Sequence, residues 1–317
     1  MKILITRKIT DNAYQMLLKA GFEIDYRKGN PLSKQELLEA IVDVDGVIAV
    51  IPDQIDKDII DAGKNLKIIS CYSVGYDNID YKYAQTKGIA TTNTPGHLTE
   101  SVAEHSMALL LAVARKVNMA DYFVRAGKYK FWDPLVFLGP TLNGKTLGIV
   151  GMGRIGKHLA KIAHKGFGMK ILYTDSTKCD VDSEIESEFC NLEYVLNNSD
   201  FISLNCNLTT ETRHLIGERE LRMMKPTSFI INTSRGAVIN ETALINALQE
   251  NIIAGAGLDV FENENNVNAE LFKLQNVVLT PHIASATFDA RTEMGMIAAQ
   301  NIIDLLIKKE TPKYIIK

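Results

Sequence analysis

The chain has 317 residues, 46% hydrophobic and 23% charged, with a formal net charge of −3, which is room for two packed domains of ~100–200 residues each. Its basic residues are scattered along a sequence of pI 6.1, so it carries no electrostatic footprint for nucleic acid. The longest apolar run, MALLLAVA at 107–114, is far short of the ~20 residues a membrane span needs, and the amino-terminal MKILITRK lacks the apolar core of a secretion signal.

Short apolar runs alternate with amphipathic segments from the start. KILIT (2–6) precedes the helical DNAYQMLLKAG (11–21), where Gly21 is placed to cap the carboxyl end. FEIDYR (22–27) precedes SKQELLEAI (33–41), where Ser33 and Glu36 have capping-box spacing. DGVIAV, DKDIIDAG, LKIIS, YKYAQTKG and IATTN continue the alternation to residue 93. This rhythm predicts a parallel sheet with helices on both faces. It breaks at 99–127, which reads as one long helix, and at 128–144, which is rich in aromatics, Gly and Pro and reads as an arm carrying the only tryptophan, Trp132. From Lys145 the alternation restarts, and 289–310 reads as a long amphipathic helix that returns to the amino-terminal domain. The expected fold class is α/β, with two doubly wound parallel-sheet domains. Residues 97–287, with the long helix and arm at about 99–143, are inserted into a domain made of 1–96 and 288–317.

TLGIVGMGRIG (146–156) sets Gly151, Gly153 and Gly156 directly after an apolar strand and into the start of a helix. Gly151 permits the turn, Gly153 lets a pyrophosphate approach the backbone, and Gly156 lets helix and strand pack closely. The free N–H groups of the first helical turn, at Arg154 and Ile155, then face the phosphates. The next strand, ILYTD, ends in Asp175, 19 residues beyond Gly156. A carboxylate there accepts from a ribose 2′-hydroxyl and repels a 2′-phosphate, so NAD (NADH) is expected over NADP.

Three polar residues follow similar apolar strands further on. Arg235 comes after SFIIN, Asp259 after IAGAGL and His282 after NVVLTP, and Glu264 sits five residues past Asp259. In open α/β sheets the strand carboxyl ends face the ligand crevice, so these side chains are expected to converge. Four cysteines, Cys71, Cys179, Cys190 and Cys206, have no CxxC or metal-like spacing and read as small hydrophobes in a reducing cytoplasm, with no metal site. His97, His105, His158, His164 and His214 have no comparable register and read as ordinary helix or loop residues.

The stretches YSVGYDNID, LTESVAEHSMALLLA, GKTLGIVGMGRIG, LTTETRHLIG, MMKPTSFIINTSRGAVI, GAGLDVFENE and LTPHIASAT, in this order, resemble the D-isomer-specific 2-hydroxyacid dehydrogenases over essentially the whole chain. The resemblance implies a Rossmann cofactor domain inserted into a flavodoxin-like substrate domain. It places the family's catalytic arginine at Arg235, its carboxylate at Glu264 and its histidine at His282. The arginine would clamp the carboxylate and carbonyl of a 2-oxo acid, and the histidine would exchange a proton with the carbonyl oxygen as hydride arrives. Glu264 would fix the imidazole tautomer.

By the same resemblance Asp259 contacts the nicotinamide carboxamide, Thr233 lies near that ring, and the N–H groups of Val74 and Gly75 cradle the substrate carboxylate. FWDPLVFLG resembles the arm of glyoxylate and hydroxypyruvate reductases. Trp132 would then wall the pocket of a neighbouring subunit in a homodimer, beside Leu98. Glu264 argues against the formate dehydrogenase branch, which carries glutamine there, whereas Asn205 and Asn207 stand where relatives usually have histidine and proline. The implied activity is NADH-dependent reduction of a small 2-oxo acid, glyoxylate or hydroxypyruvate. Phosphoglycerate or D-lactate dehydrogenases, and an NAD-sensing corepressor that does not turn over, share the same residue set.

Overall fold

The apolar runs become strands of three to five residues, and the central ones, such as Gly46–Ala49, Ile68–Cys71, Phe201–Leu204 and Phe229–Asn232, are buried from end to end. In the computed structural model, which describes residues 1–96, 98–181 and 183–317, these strands form two wholly parallel sheets. The chain divides into two units, one made of Met1–Leu98 and Ala286–Lys317, the other of Thr99–Ser285.

The first unit holds β1 (Lys2–Ile5), β2 (Glu23–Tyr26), β3 (Gly46–Ala49), β4 (Ile68–Cys71) and β5 (Ala90–Thr92). Their order, β2-β1-β3-β4-β5, is the flavodoxin-type doubly wound arrangement. Ser33 caps its helix by accepting from Glu36 N while the Glu36 side chain accepts from Ser33 N, and Gly21 follows the preceding helix at φ 84. The helix Phe288–Ile303 packs within this unit: Ser70 donates to Ala298 O at 3.1 Å and Tyr72 to Arg291 O at 2.6 Å.

The second unit holds β6 (Thr146–Val150), β7 (Lys170–Thr174), β8 (Ser187–Phe189), β9 (Phe201–Leu204), β10 (Phe229–Asn232), β11 (Gly255–Leu258) and β12 (Val277–Leu279). The order β12-β11-β10-β9-β6-β7-β8 reverses direction at β6, the Rossmann switch point. Both faces are covered. Along β10, Phe229 and Ile231 join one core while Ile230 joins the other.

Two elements differ from the sequence reading. The stretch 99–127 is two helices, Leu98–Ala114 and Val117–Arg125, because Lys116 turns left-handed (φ 52) and the arm backbone at Gly139 presses onto Ala114, where a Cβ would lie 2.0 Å from its carbonyl oxygen. The edge strand β8 has no apolar run to announce it, since Ser-Glu-Phe is held by pairing with β7 rather than by burial. Among the described residues no helix is long and apolar enough to cross a membrane.

Candidate active site

β10, β11 and β12 lie side by side in parallel register, with Asn232 opposite Leu258 and Leu258 opposite Leu279. Their carboxyl ends therefore emerge together, followed by Arg235, Asp259 and His282. Asn232, almost fully buried, shapes the first turn: its Oδ1 accepts from Ser234 N at 3.0 Å and its Nδ2 donates to Arg235 O at 2.9 Å. The next residue, Gly236, packs directly on the Phe261–Glu262 peptide, so the arginine turn and the loop carrying Glu264 are pressed together.

That loop brings Glu264 to His282. The imidazole Nδ1 sits 2.8 Å from Glu264 Oε1 and 2.9 Å from Oε2. A carboxylate only accepts, so Nδ1 carries the proton and Nε2 is the nitrogen left for exchange. His282 itself has φ 53, a left-handed conformation uncommon for a residue with a side chain. Its N–H donates to Asp259 O at 2.8 Å.

Asp259 has 0% of its surface accessible. Oδ1 accepts from Thr280 Oγ1 at 2.6 Å and Ile283 N at 2.8 Å, and Oδ2 from Ala284 N at 2.8 Å. Burial pushes this carboxyl up, but donation from His105, Thr280 and the two amides outweighs it and holds the group below the usual carboxylate range. Thr233 pairs with Ser106 at 2.7 Å; since Ser106 donates to Val102 O, Thr233 is the donor. His105 and Ser106, neighbours on the helix Leu98–Ala114, were not distinguished by sequence, because their partners are 127 to 175 residues away.

The glycine turn fits a dinucleotide phosphate. Gly151 has φ 96, and a Cβ there would lie 2.7 Å from Cys206 N. A Cβ on Gly156 would lie 2.3 Å from Gly151 O, whereas space around Gly153 is open. Gly153 caps the helix Arg154–Phe167 without a side-chain bond, so the first-turn amides at Arg154 and Ile155 keep their anion-binding character. Asp175, at the end of β7, accepts from Met152 N at 2.8 Å and from Ser176 N at 2.7 Å, and so braces this turn. Beside it, Asn205 Nδ2 bonds Ser203, and its buried Oδ1 has no hydrogen-bond partner among the described residues.

In the first unit, Val74 and Gly75 follow β4. Asn93 Nδ2 donates to Val74 O at 2.8 Å, and Ser73 Oγ donates to Gly75 O at 2.5 Å. Trp132 is 76% exposed on the arm, with Phe131 and Leu135 at 75%. Leu98 is buried, and His97 lies outside the described residues. The four cysteines are unpaired; burial pushes Cys71 up to about 12 and Cys206 to about 11, so neither thiol is a thiolate at neutral pH. Among the described residues no group of three or more His, Cys, Asp or Glu could hold a metal ion.

A family model described as D-isomer specific 2-hydroxyacid dehydrogenase, NAD binding domain, matches residues 107–284. A glyoxylate reductase of Thermococcus litoralis is 52% identical over 308 residues, covering 95% of this chain and 92% of that protein. A protein of Thermus thermophilus with a solved crystal structure gives a TM-score of 0.94 at 39% identity, with 100% of both chains covered. An NADPH-dependent glyoxylate/hydroxypyruvate reductase of Sinorhizobium meliloti, solved with NADP and malonate, gives 0.86 at 30% identity, covering 99% of this chain and 96% of that one. By domain match, sequence identity and fold, the chain belongs to the D-isomer specific 2-hydroxyacid dehydrogenase family.

Proposed function

We propose that this oxidoreductase reduces glyoxylate or hydroxypyruvate to the D-2-hydroxy acid with NADH. The observation that carries the reading is the His282–Glu264 pair, with Nδ1 bonded to both carboxylate oxygens at strand ends shared with Arg235. When bound, the nicotinamide cofactor supplies the hydride. Gly151, Gly153, Arg154, Ile155 and Gly156 hold its pyrophosphate, Asp175 its ribose, and Thr233 flanks its ring.

Arg235 holds the substrate carboxylate and carbonyl through its guanidinium fork. In the first unit, the N–H groups of Val74 and Gly75 form a nest of the kind that takes a carboxylate. His282 Nε2 delivers the proton to the carbonyl oxygen, while Glu264 keeps the other nitrogen protonated and fixes the ring plane. Asp259, which the resemblance sets against the nicotinamide carboxamide, has no accessible surface, so we assign it first to holding the Thr280–Ala284 segment. A carboxamide contact would have to share Oδ2 with Ala284 N.

The apolar arm around Phe131, Trp132 and Leu135 supports a homodimer in which a second copy covers it. Four unpaired cysteines suit the cytoplasm. The test follows 340 nm absorbance with NADH, and separately NADPH, against glyoxylate, hydroxypyruvate, pyruvate and 3-phosphohydroxypyruvate, on protein whose mass is measured by light scattering. Fastest decay with NADH and the first two acids, from a particle of twice the chain mass, is expected. No turnover with any acid despite NADH binding would overturn the reductase reading, and a monomer would overturn the dimer.

Cofactor choice has its own test in Asp175→Ala. The ribose bond is charge-assisted, worth about 1.5–3 kcal/mol, so kcat/KM with NADH is expected to fall roughly 10- to 100-fold. Loss of the Met152 bond weakens the turn for both cofactors, but removing the carboxylate also relieves repulsion of a 2′-phosphate, so NADPH use falls far less. Equal losses for both cofactors would show that Asp175 only braces the turn.

A further inference from the structure

His282 holds a left-handed backbone, and such a conformation persists only where the surroundings enforce it. The enforcing group is Asp259. Its carbonyl accepts from His282 N, Oδ1 from Ile283 N and Oδ2 from Ala284 N, each at 2.8 Å, so three consecutive residues are gripped by one side chain and its own peptide. A carboxylate with no accessible surface holds this position only if donors surround it.

Two of those donors come from side chains. Thr280 Oγ1 donates to Asp259 Oδ1 at 2.6 Å. His105 Nε2, reaching from the helix Leu98–Ala114, lies 3.1 Å from Thr280 Oγ1 and 3.4 Å from Asp259 Oδ1. The threonine spends its single proton on Asp259 and faces His105 as an acceptor, so Nε2 carries the proton between them. The helix thereby contributes one end of a chain, His105 to Thr280 to Asp259 to the His282 peptide.

We propose that His105 is a positioning residue for the acid–base step, aiming the Asp259 carboxylate so that the His282 backbone keeps the conformation that sets its imidazole against Glu264. The inference rests on the reading of His282 as proton donor, and it acts through Asp259 rather than on the substrate. A misplaced catalytic group lowers the rate of the chemical step and leaves binding intact, so the effect falls on kcat.

Two variants separate this from a helix histidine that merely fills space. His105→Leu removes the donor, and His105→Gln keeps an N–H at similar reach. With NADH and glyoxylate, His105→Leu is expected to lower kcat roughly 10- to 100-fold with both KM values within about twofold, and His105→Gln to recover most of the rate. Amide exchange across 280–286, read by mass spectrometry on the full chain, is expected to quicken in His105→Leu and not in the β-strands; this readout needs no turnover. Wild-type kcat in His105→Leu, or unchanged exchange at 280–286, overturns the inference. If His105→Leu does not fold, Thr280→Val breaks the same bridge and carries the same two measurements. His282→Ala runs alongside: persistent turnover there rejects the acid–base reading, while exchange at 280–286 still decides whether His105 holds the segment.

Discussion

Replacing His282 by alanine is expected to lower kcat roughly 10²–10⁴-fold and to leave the NADH dissociation constant unchanged. Glu264 occupies the imidazole Nδ1 at 2.8 and 2.9 Å, which leaves Nε2 as the ring nitrogen for proton exchange with the substrate. The glycine-rich turn that would hold the cofactor phosphates belongs to β6 and the helix after it, far along the chain, so NADH binding reports on a separate part of the unit. The backbone at φ 53 adds a control. His282→Gly relieves the left-handed strain that His282→Ala retains, so the glycine variant should melt no lower than the alanine variant. Both should be equally inactive. Fluorescence titration with NADH and a steady-state assay check the pair, and turnover near the wild-type rate in either variant would remove His282 from the acid–base step.

The parts of this fold that could be read from sequence are those decided locally. Apolar runs such as Phe229–Asn232 are buried on both faces, which a parallel sheet flanked by helices requires, and Ser33 with Glu36 closes a capping box within one turn. The glycine turn is legible for the same reason, since Gly151 is required by its own φ of 96 and Gly156 by its approach to Gly151 O within the same βα unit, even though Gly151 also packs on the distant Cys206 backbone. Where structure comes from distant partners, sequence was silent. β8 exists through pairing with β7, and the helix break at Lys116 depends on an arm residue, Gly139, meeting Ala114.

The site divides along the same line. Arg235, Asp259 and His282 stand out because each ends an apolar strand, and parallel register then aligns them. The work of Asp259 does not stand out. Nothing in GAGLDV says that its carboxylate will be spent on the amides of Ile283 and Ala284, and His105 reads as one more polar position on a long helix until Thr280 is folded onto it. Likewise Asp175 announces a ribose contact by position, while its bond to Met152 N follows only from the turn geometry.

Gly236→Ala is expected to cost more activity than its single methyl suggests. A Cβ at this position would lie 1.9 Å from Phe261 C, 2.0 Å from Phe261 O and 2.4 Å from Glu262 N, all backbone atoms with no rotamer to move aside. Relief requires the peptide after Arg235 to separate from the peptide two residues before Glu264. Overpacking of this kind destabilises by about 1–3 kcal/mol, visible as a lowered melting temperature. The larger consequence is geometric: Arg235 and Glu264 sit on the two segments forced apart, and an ångström of misplacement costs on the order of 10²-fold in rate. The expected result is a loss of kcat/KM of about that size, with NADH affinity unchanged because Gly151 to Gly156 are untouched. A Gly236→Ala enzyme that melts lower yet turns over normally would mean that the contact serves stability alone, and that the register of Arg235 and Glu264 is held by other bonds.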